Sequence, residues 1–288
     1  MKLGNIIKDG KIFAVAKTEE GIVSIPHLDR ESPKMEKTTD SIVKSGISVR
    51  AIHDSIESGK GDSVAINGEY KFEPVILEPE KIICVGLNYR SHVKETNDKI
   101  PENPVLFSKF GNSLAGSGQI LKIPPETKQL DYEGELGIVI GKSGYRISED
   151  KALDHVFGYF CGNDLSARDL QFKTSQWLLG KTCDNFYPCG PFITTADEIP
   201  DPQNLTIKTN LNDEVRQNSS TSMMIFSCRF LISYISRFMT LRPGDIISTG
   251  TPEGVILGMP EESRIWIKSK DRVRVEIQGM EALENKFA

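Results

Sequence analysis

Three acidic residues at alternate positions, Asp131, Glu133 and Glu135, run straight into the apolar stretch Leu136 to Ile140. On a strand, successive side chains point to opposite faces, so these carboxylates would share one face and leave Tyr132 and Leu136 on the other. Like charges held so close raise one another's pKa and cost stability unless something compensates them. A divalent cation is the natural compensator, and carboxylate and water ligands favour hard ions such as Mg²⁺, Mn²⁺ or Ca²⁺ over zinc. For the hexapeptide alone, a solvated face at a sheet edge explains the pattern equally well. A further acid shifts that balance. The apolar run Tyr159 to Gly162 ends at Asn163-Asp164, where a helix begins. In isolation Asp164 or Ser166 would be read as an N-cap. A strand that ends at Asp164 beside one that opens with Glu133 and Glu135 can instead bring three carboxylates to one ion.

Four other places carry groups suited to chemistry. Arg168 and Gln171 are three residues apart on the expected helix and share a face, where they can present a bidentate cation and an amide to a substrate carboxylate or carbonyl. The plainer reading of Arg168 is a surface ion pair with Asp164 or Asp169. Lys181 lies among apolar and small residues in WLLGKTCD, a setting that partly desolvates an amine for use as a base or electrophile. Its GKT triplet is not a phosphate loop, because Ser175 stands where the upstream glycine is required. His92 and Glu95, one helical turn apart, form a pair in which the carboxylate orients the imidazole and raises its basicity, although such pairs on exposed helices are usually idle. Thr251, in the small-residue loop Ser248 to Gly254, has a hydroxyl and neighbouring N–H groups able to hold an anion. A hairpin turn is the structural alternative there.

The elements that must position these groups are mostly strands. Leu3 to Ile7, Ile12 to Ala16 and Ile22 to Ile25, separated by Asp9-Gly10 and Glu20-Gly21, read as a small β-meander. Thr39 to Ser58 reads as one helix or two interrupted by Gly46. A proline-rich passage, Phe72 to Pro79, precedes the strand KIICVG, so a boundary near residue 75 divides a small N-terminal α/β domain (1–75) from a catalytic domain (76–288). The latter carries strand-like runs at 104–107, 120–123, 136–141, 158–164, 191–194, 205–211, 245–248, 264–267 and 273–277, and helix-like segments at 167–179 and 223–239. The fold class is therefore mixed β/α with a mainly β catalytic domain, not a doubly wound sheet.

Composition narrows the function classes. With 288 residues, 38% of them hydrophobic, the chain can bury a large core without disulfides or structural metal. Its net charge of −5 and its scattered Lys and Arg lack the footprint of a nucleic-acid binder. No apolar run approaches the roughly 20 residues of a membrane span, and the first residues lack an apolar signal core. Five widely spaced cysteines with no CxxC pair point to reduced thiols in a cytoplasmic enzyme, most of them buried as small hydrophobes.

In order and spacing, KIICVGLNYRSHVKE, LDYEGELGIVIGK, GNDLSARDLQ, WLLGKTCD and PGDIISTGTPEGV resemble the fumarylacetoacetate hydrolase superfamily, across about residues 80 to 256. The likeness points toward its bacterial branch, which includes oxaloacetate decarboxylases, acylpyruvate hydrolases and 2-hydroxyhepta-2,4-diene-1,7-dioate isomerases. It implies a mixed β-roll, a homodimer, and Mg²⁺ or Mn²⁺ held by Glu133, Glu135 and Asp164, with Asp131 supporting that site from behind. It further implies Lys181 as the active-site lysine, Arg168, Gln171 and Thr251 as substrate contacts, and His92 with Glu95 as a water-activating dyad on a mobile lid. The expected activity is metal-dependent chemistry on a small 2-oxo or 1,3-dicarbonyl acid through an enolate. Oxaloacetate decarboxylation or acylpyruvate hydrolysis leads; an isomerase or a diketo-deoxy sugar acid hydrolase or dehydratase follows, and a metal-stabilised scaffold is the non-enzymatic alternative. Substrate choice is expected to lie near residues 96–103 and 255–263.

Overall fold

The computed structural model describes residues 1–25, 38–57 and 65–288. Among them, ten strands form one large sheet. From one edge it runs Gly21–Ser24, Lys11–Thr18, Lys2–Lys8, Ile193–Thr195, Val156–Asn163, Gly134–Ile140, Ile246–Ser248, Ile82–Gly86 and Val105–Lys109, with Lys71–Glu73 also paired to Lys2–Lys8. Neighbours are antiparallel except Ile246–Ser248 beside Ile82–Gly86. A second sheet of five strands takes the order Glu214–Ser220, Thr206–Leu211, Arg272–Ile277, Leu283–Phe287 and Ile120–Leu121. The fold is mixed α/β and dominated by its sheets.

The strand Gly134–Ile140 is buried along its whole length, which is why its sequence from Leu136 onward is a continuous apolar run instead of an alternating one. Its Leu136 and Ile138 join Ile207 and Val275 of the second sheet and Leu231, Ile232 and Ile235 of the helix Cys228–Ser236 in the principal core. On the other face, Val139 packs with Phe160, Tyr187, Ile193 and Ile246. The helices Thr39–Ser45 and Val49–Glu57 cover the N-terminal strands through Ile42 and Ile52, which meet Leu3, Ala14 and Ala16. The first ends at Gly46 with φ of 68°, a left-handed stop that favours glycine; residue 58 of the expected helical stretch lies outside the described residues. The large sheet crosses residue 75, because Lys2 and Leu3 register with Thr194 and Ile193.

Three expected elements differ. Residues 167–179 do not form one helix: Arg168–Gln171 and Leu178–Lys181 are separate turns. Between them the Thr174 hydroxyl bonds the backbone of Gln176, a local bond that competes with helical pairing. The helix expected over 223–239 is limited to Cys228–Ser236, started by Ser227, whose Oγ accepts the Phe230 N–H. Residues 264–267 form no strand. The polar strand Glu214–Ser220, unforeseen in the sequence, lies at the edge of the second sheet and exposes much of its surface, which suits its composition. No helix among the described residues is long and apolar enough to cross a membrane, and all five cysteines are free thiols.

Candidate functional site

Strand register assembles the carboxylates. Gly134 pairs with Asn163 and Glu135 with Gly162, so the end of one strand lies beside the start of the other. The Asp164 N–H then donates to the Glu133 carbonyl at 2.8 Å. As a result, oxygens of Glu133, Glu135 and Asp164 lie within 4.8 Å of one another, and all three residues are buried.

Cations are distributed unevenly around them. Lys181 Nζ contacts Glu133 Oε2 at 2.7 Å and Asp164 Oδ2 at 2.8 Å. Arg168 Nη2 contacts Glu133 Oε1 at 2.7 Å and Asp131 Oδ2 at 2.9 Å. Lys109 Nζ contacts Asp164 Oδ1 at 2.6 Å. Glu135, in contrast, accepts only the Ser248 hydroxyl and the Gly250 N–H, the latter at 3.0 Å, and has no ion-pair partner among the described residues. The electrostatics follow this distribution. Burial and the adjacent Asp164 and Glu133 hold the Glu135 carboxyl well above its ordinary range. For Glu133 burial acts in the same sense, but Lys181 and Arg168 outweigh it and hold the carboxylate low. The Lys181 ammonium is opposed by burial yet kept charged by Asp164 and Glu133. Four buried carboxylates thus face three buried cations, and the uncompensated one is Glu135. An all-oxygen donor set with unneutralised negative charge fits a hard divalent cation.

Asp131 departs from the expected shared face. The chain breaks regular pairing between Leu130–Asp131 and Gly134–Ile140, which turns Asp131 away from the triad. Its oxygens accept the N–H groups of Tyr132, Ile256 and Leu257 and the Arg168 Nε at 3.0 Å. Asp131 therefore positions Arg168 and the loop at 254–258. Arg168 is buried, in place of the surface pair considered with Asp164 or Asp169, and its Nη1 donates to Gln171 Oε1 at 3.0 Å.

Seven of the residues singled out in the sequence line one cavity of about 80 Å³: His92, Glu133, Glu135, Arg168, Gln171, Lys181 and Thr251. Asp164 and Glu95 touch these from behind. Of the segments expected to govern specificity, Thr96, Asp98 and Leu257 also reach the cavity. The Thr251 hydroxyl is engaged, donating to the Gly134 carbonyl at 3.0 Å and accepting from Gln217. The helix Arg90–Glu95 places His92 Nδ1 2.8 Å from Glu95 Oε1, while Glu95 Oε2 accepts the Gly254 N–H at 2.8 Å. Gly254 has φ of +98°, and a Cβ there would lie 2.0 Å from the Arg216 carbonyl oxygen. Gly254→Ala should cost about 1–3 kcal/mol and release Glu95, read as a lowered melting temperature together with loss of turnover. Unchanged activity would show that the Gly254 contact does not position the dyad.

Sequence reading missed Lys109 and the aromatic wall of Phe107 and Trp177. The one available signal was a lysine closing a strand, Val105–Lys109, that opens with three apolar residues. Trp177 carried no signal beyond its type, since its partners are remote in sequence.

The family model for the fumarylacetoacetate (FAA) hydrolase C-terminal region matches residues 81–288. The chain belongs to the fumarylacetoacetate hydrolase family. Its similarity to mitochondrial oxaloacetate tautomerases is 46% identity with that of Xenopus laevis, over 73% of this chain and 66% of the relative, and 42% with one from Homo sapiens, over 76% and 69%. The match thus spans about two thirds of those relatives' length. Among solved structures, the fumarylacetoacetate hydrolase of Exiguobacterium antarcticum is 32% identical with a TM-score of 0.86, covering 100% of this chain and 99% of that one. A maleylpyruvate hydrolase of Sphingobium sp. SYK-6, in complex with manganese(II) and pyruvate, is 28% identical with a TM-score of 0.79 and the same coverage. The chain is accordingly an enzyme of the fumarylacetoacetate hydrolase superfamily.

Proposed function

We propose that this enzyme interconverts the keto and enol forms of oxaloacetate or a closely similar 2-oxo acid with the help of Mg²⁺ or Mn²⁺. The observation that carries the reading is the cavity of about 80 Å³ that His92 shares with Glu133, Glu135, Arg168, Gln171 and Lys181. A space that small suits a short acid, and a histidine beside a triad of carboxylates suits proton relocation. The tautomerase names of the relatives at 46% and 42% identity support the same reading.

Glu133, Glu135 and Asp164 would hold the ion, which when bound supplies Lewis-acid stabilisation of negative charge on the substrate oxygens. The remaining work falls to side chains. Because Glu95 engages His92 Nδ1, Nε2 is the nitrogen left to take a proton from the carbon next to the keto group and return it to oxygen. With Gln171 Oε1 occupied by Arg168, its amide nitrogen is free to donate to a substrate oxygen. Lys181, kept charged by its carboxylates, adds a cation beside the developing oxyanion.

A second reading, hydrolysis of an acylpyruvate, is favoured by the same dyad, since a carboxylate-oriented imidazole also deprotonates water. The ultraviolet change as the enol of oxaloacetate is consumed, followed alongside pyruvate release from oxaloacetate and from acetylpyruvate, separates these readings and the decarboxylase expectation. Metal-dependent enol loss without pyruvate is the expected result; pyruvate as the main product of either acid would replace the tautomerase reading. His92→Ala should lower the rate about 10²- to 10⁴-fold with metal binding intact, and an unchanged rate would remove His92 from the chemistry.

A further inference from the structure

The cavity of about 80 Å³ adjoins a second space of about 480 Å³, and Phe107 and Trp177 line both. The remainder of the larger groove is chiefly apolar, with Ile83, Leu106, Phe110 and Leu178 among its walls. Phe110 and Leu178 are 53% and 41% exposed, so the groove opens to solvent. Trp177 and Phe107 meet edge to face, with ring centroids 5.4 Å apart and planes at 71°. Two indole carbons of Trp177 lie 2.6 and 2.9 Å from where a Cβ on Gly86 would stand. The absence of a side chain at Gly86 thus lets the indole lie against the strand Ile82–Gly86, and the contact with Phe107 holds it there. Across the partition, the Lys181 ammonium is 5.1 Å from the Phe107 ring, so the wall stands directly beside the charged part of the site.

We infer that Trp177 is a specificity-determining residue that sets the upper chain length of the 2-oxo acid by closing the catalytic cavity off from the apolar groove. The inference rests on the proposed 2-oxo acid chemistry and adds the class of acid that is rejected: those with unbranched alkyl tails of several carbons. The groove is the space such a tail would need, and the indole is what stands in its way. An apolar pocket discriminates by roughly 10- to 200-fold per misfitted methylene, so one aromatic wall is enough to impose a strong length preference.

The test is calorimetric binding of 2-oxobutanoate, 2-oxohexanoate and 2-oxooctanoate to the full chain loaded with Mn²⁺. In the wild type, affinity should fall with length. In Trp177→Ala and Trp177→Leu, the affinity for 2-oxooctanoate relative to 2-oxobutanoate should rise by about tenfold or more. Trp177→Phe keeps an aromatic wall, so it is the variant of choice should the smaller replacements fail to fold, and a smaller rise is expected from it. Leu178→Ala widens only the outer groove and should leave the ratio at its wild-type value. A wild type that binds 2-oxooctanoate as tightly as 2-oxobutanoate overturns the inference, as does an unchanged ratio in every folded Trp177 variant, while the 2-oxo acid reading itself survives in both cases. A wild type that binds none of the three acids removes that reading, and the inference falls with it.

Discussion

Glu135→Gln is expected to abolish metal-dependent turnover, with a loss of at least about a hundredfold, while leaving the metal-free protein about as stable as the wild type. The two halves of this result have one cause. Without metal, Glu135 is the carboxylate with no cation beside it, and burial together with Asp164 and Glu133 favours its neutral form. A glutamine oxygen can still accept from Ser248 and Gly250, so the replacement keeps the neutral form that the metal-free site favours without leaving either donor unpaired. With metal, the substitution deletes one of three ligands. A ligand at a hundred times its Kd stabilises a fold by about 2.7 kcal/mol, which in a chain of this size is a rise in melting temperature of about 4–5 °C. Melting curves with and without Mn²⁺ should show that rise in the wild type and not in the variant. An equal rise in both would place the ion elsewhere.

Lys109→Met should be the most damaging substitution to the fold near the site. The Lys109 side chain is completely buried. It holds Asp164 Oδ1 and donates to the carbonyls of Phe186 at 3.0 Å, Leu165 at 3.3 Å and Lys181. Removing one partner of a buried ion pair leaves an uncompensated charge, at a cost of about 3–5 kcal/mol, or a fall in melting temperature of about 5–8 °C. Because Lys109 ties Asp164 to the backbone of Lys181, metal affinity should drop about 10- to 100-fold as well. The pair between Arg242 and Glu80 offers the contrast, since both side chains are more than half exposed and solvent screening should leave the melting temperature nearly unchanged when it is lost. Comparable melting temperatures for Lys109→Met and Arg242→Ala would mean that Lys109 is not a structural cation of the site.

Much of the candidate site was legible because its signals are local. Alternating acids that enter an apolar run, an acid at the end of the next strand, and a His and Glu one turn apart each lie within a few residues, where strand and helix periodicity suffice. The limits appear where backbone pairing changes between neighbours. Asp131 keeps the sequence spacing of Glu133 and Glu135, yet the break after it sends its carboxylate to Arg168 and the N–H groups of Ile256 and Leu257. The expected helix over 167–179 failed for a similar reason, since a hydroxyl at Thr174 bonds backbone that the helix would need.

What the sequence determined by itself was the inventory of chemistry and its family. The acids, the dyad, Arg168, Gln171 and Lys181 could be named from type and spacing, and five ordered motifs pointed to one superfamily. Tertiary structure alone decided which charges compensate one another, because Lys109 and Asp164 are 55 residues apart in number and meet only through the sheet and its connections. It also decided the size of the cavity, since the wall of Phe107 and Trp177 exists only where residues distant in sequence pack against Gly86. The division is physical. Local periodicity reports which face a side chain takes, whereas compensation of buried charge and the volume left for a ligand depend on distances between elements that only packing sets.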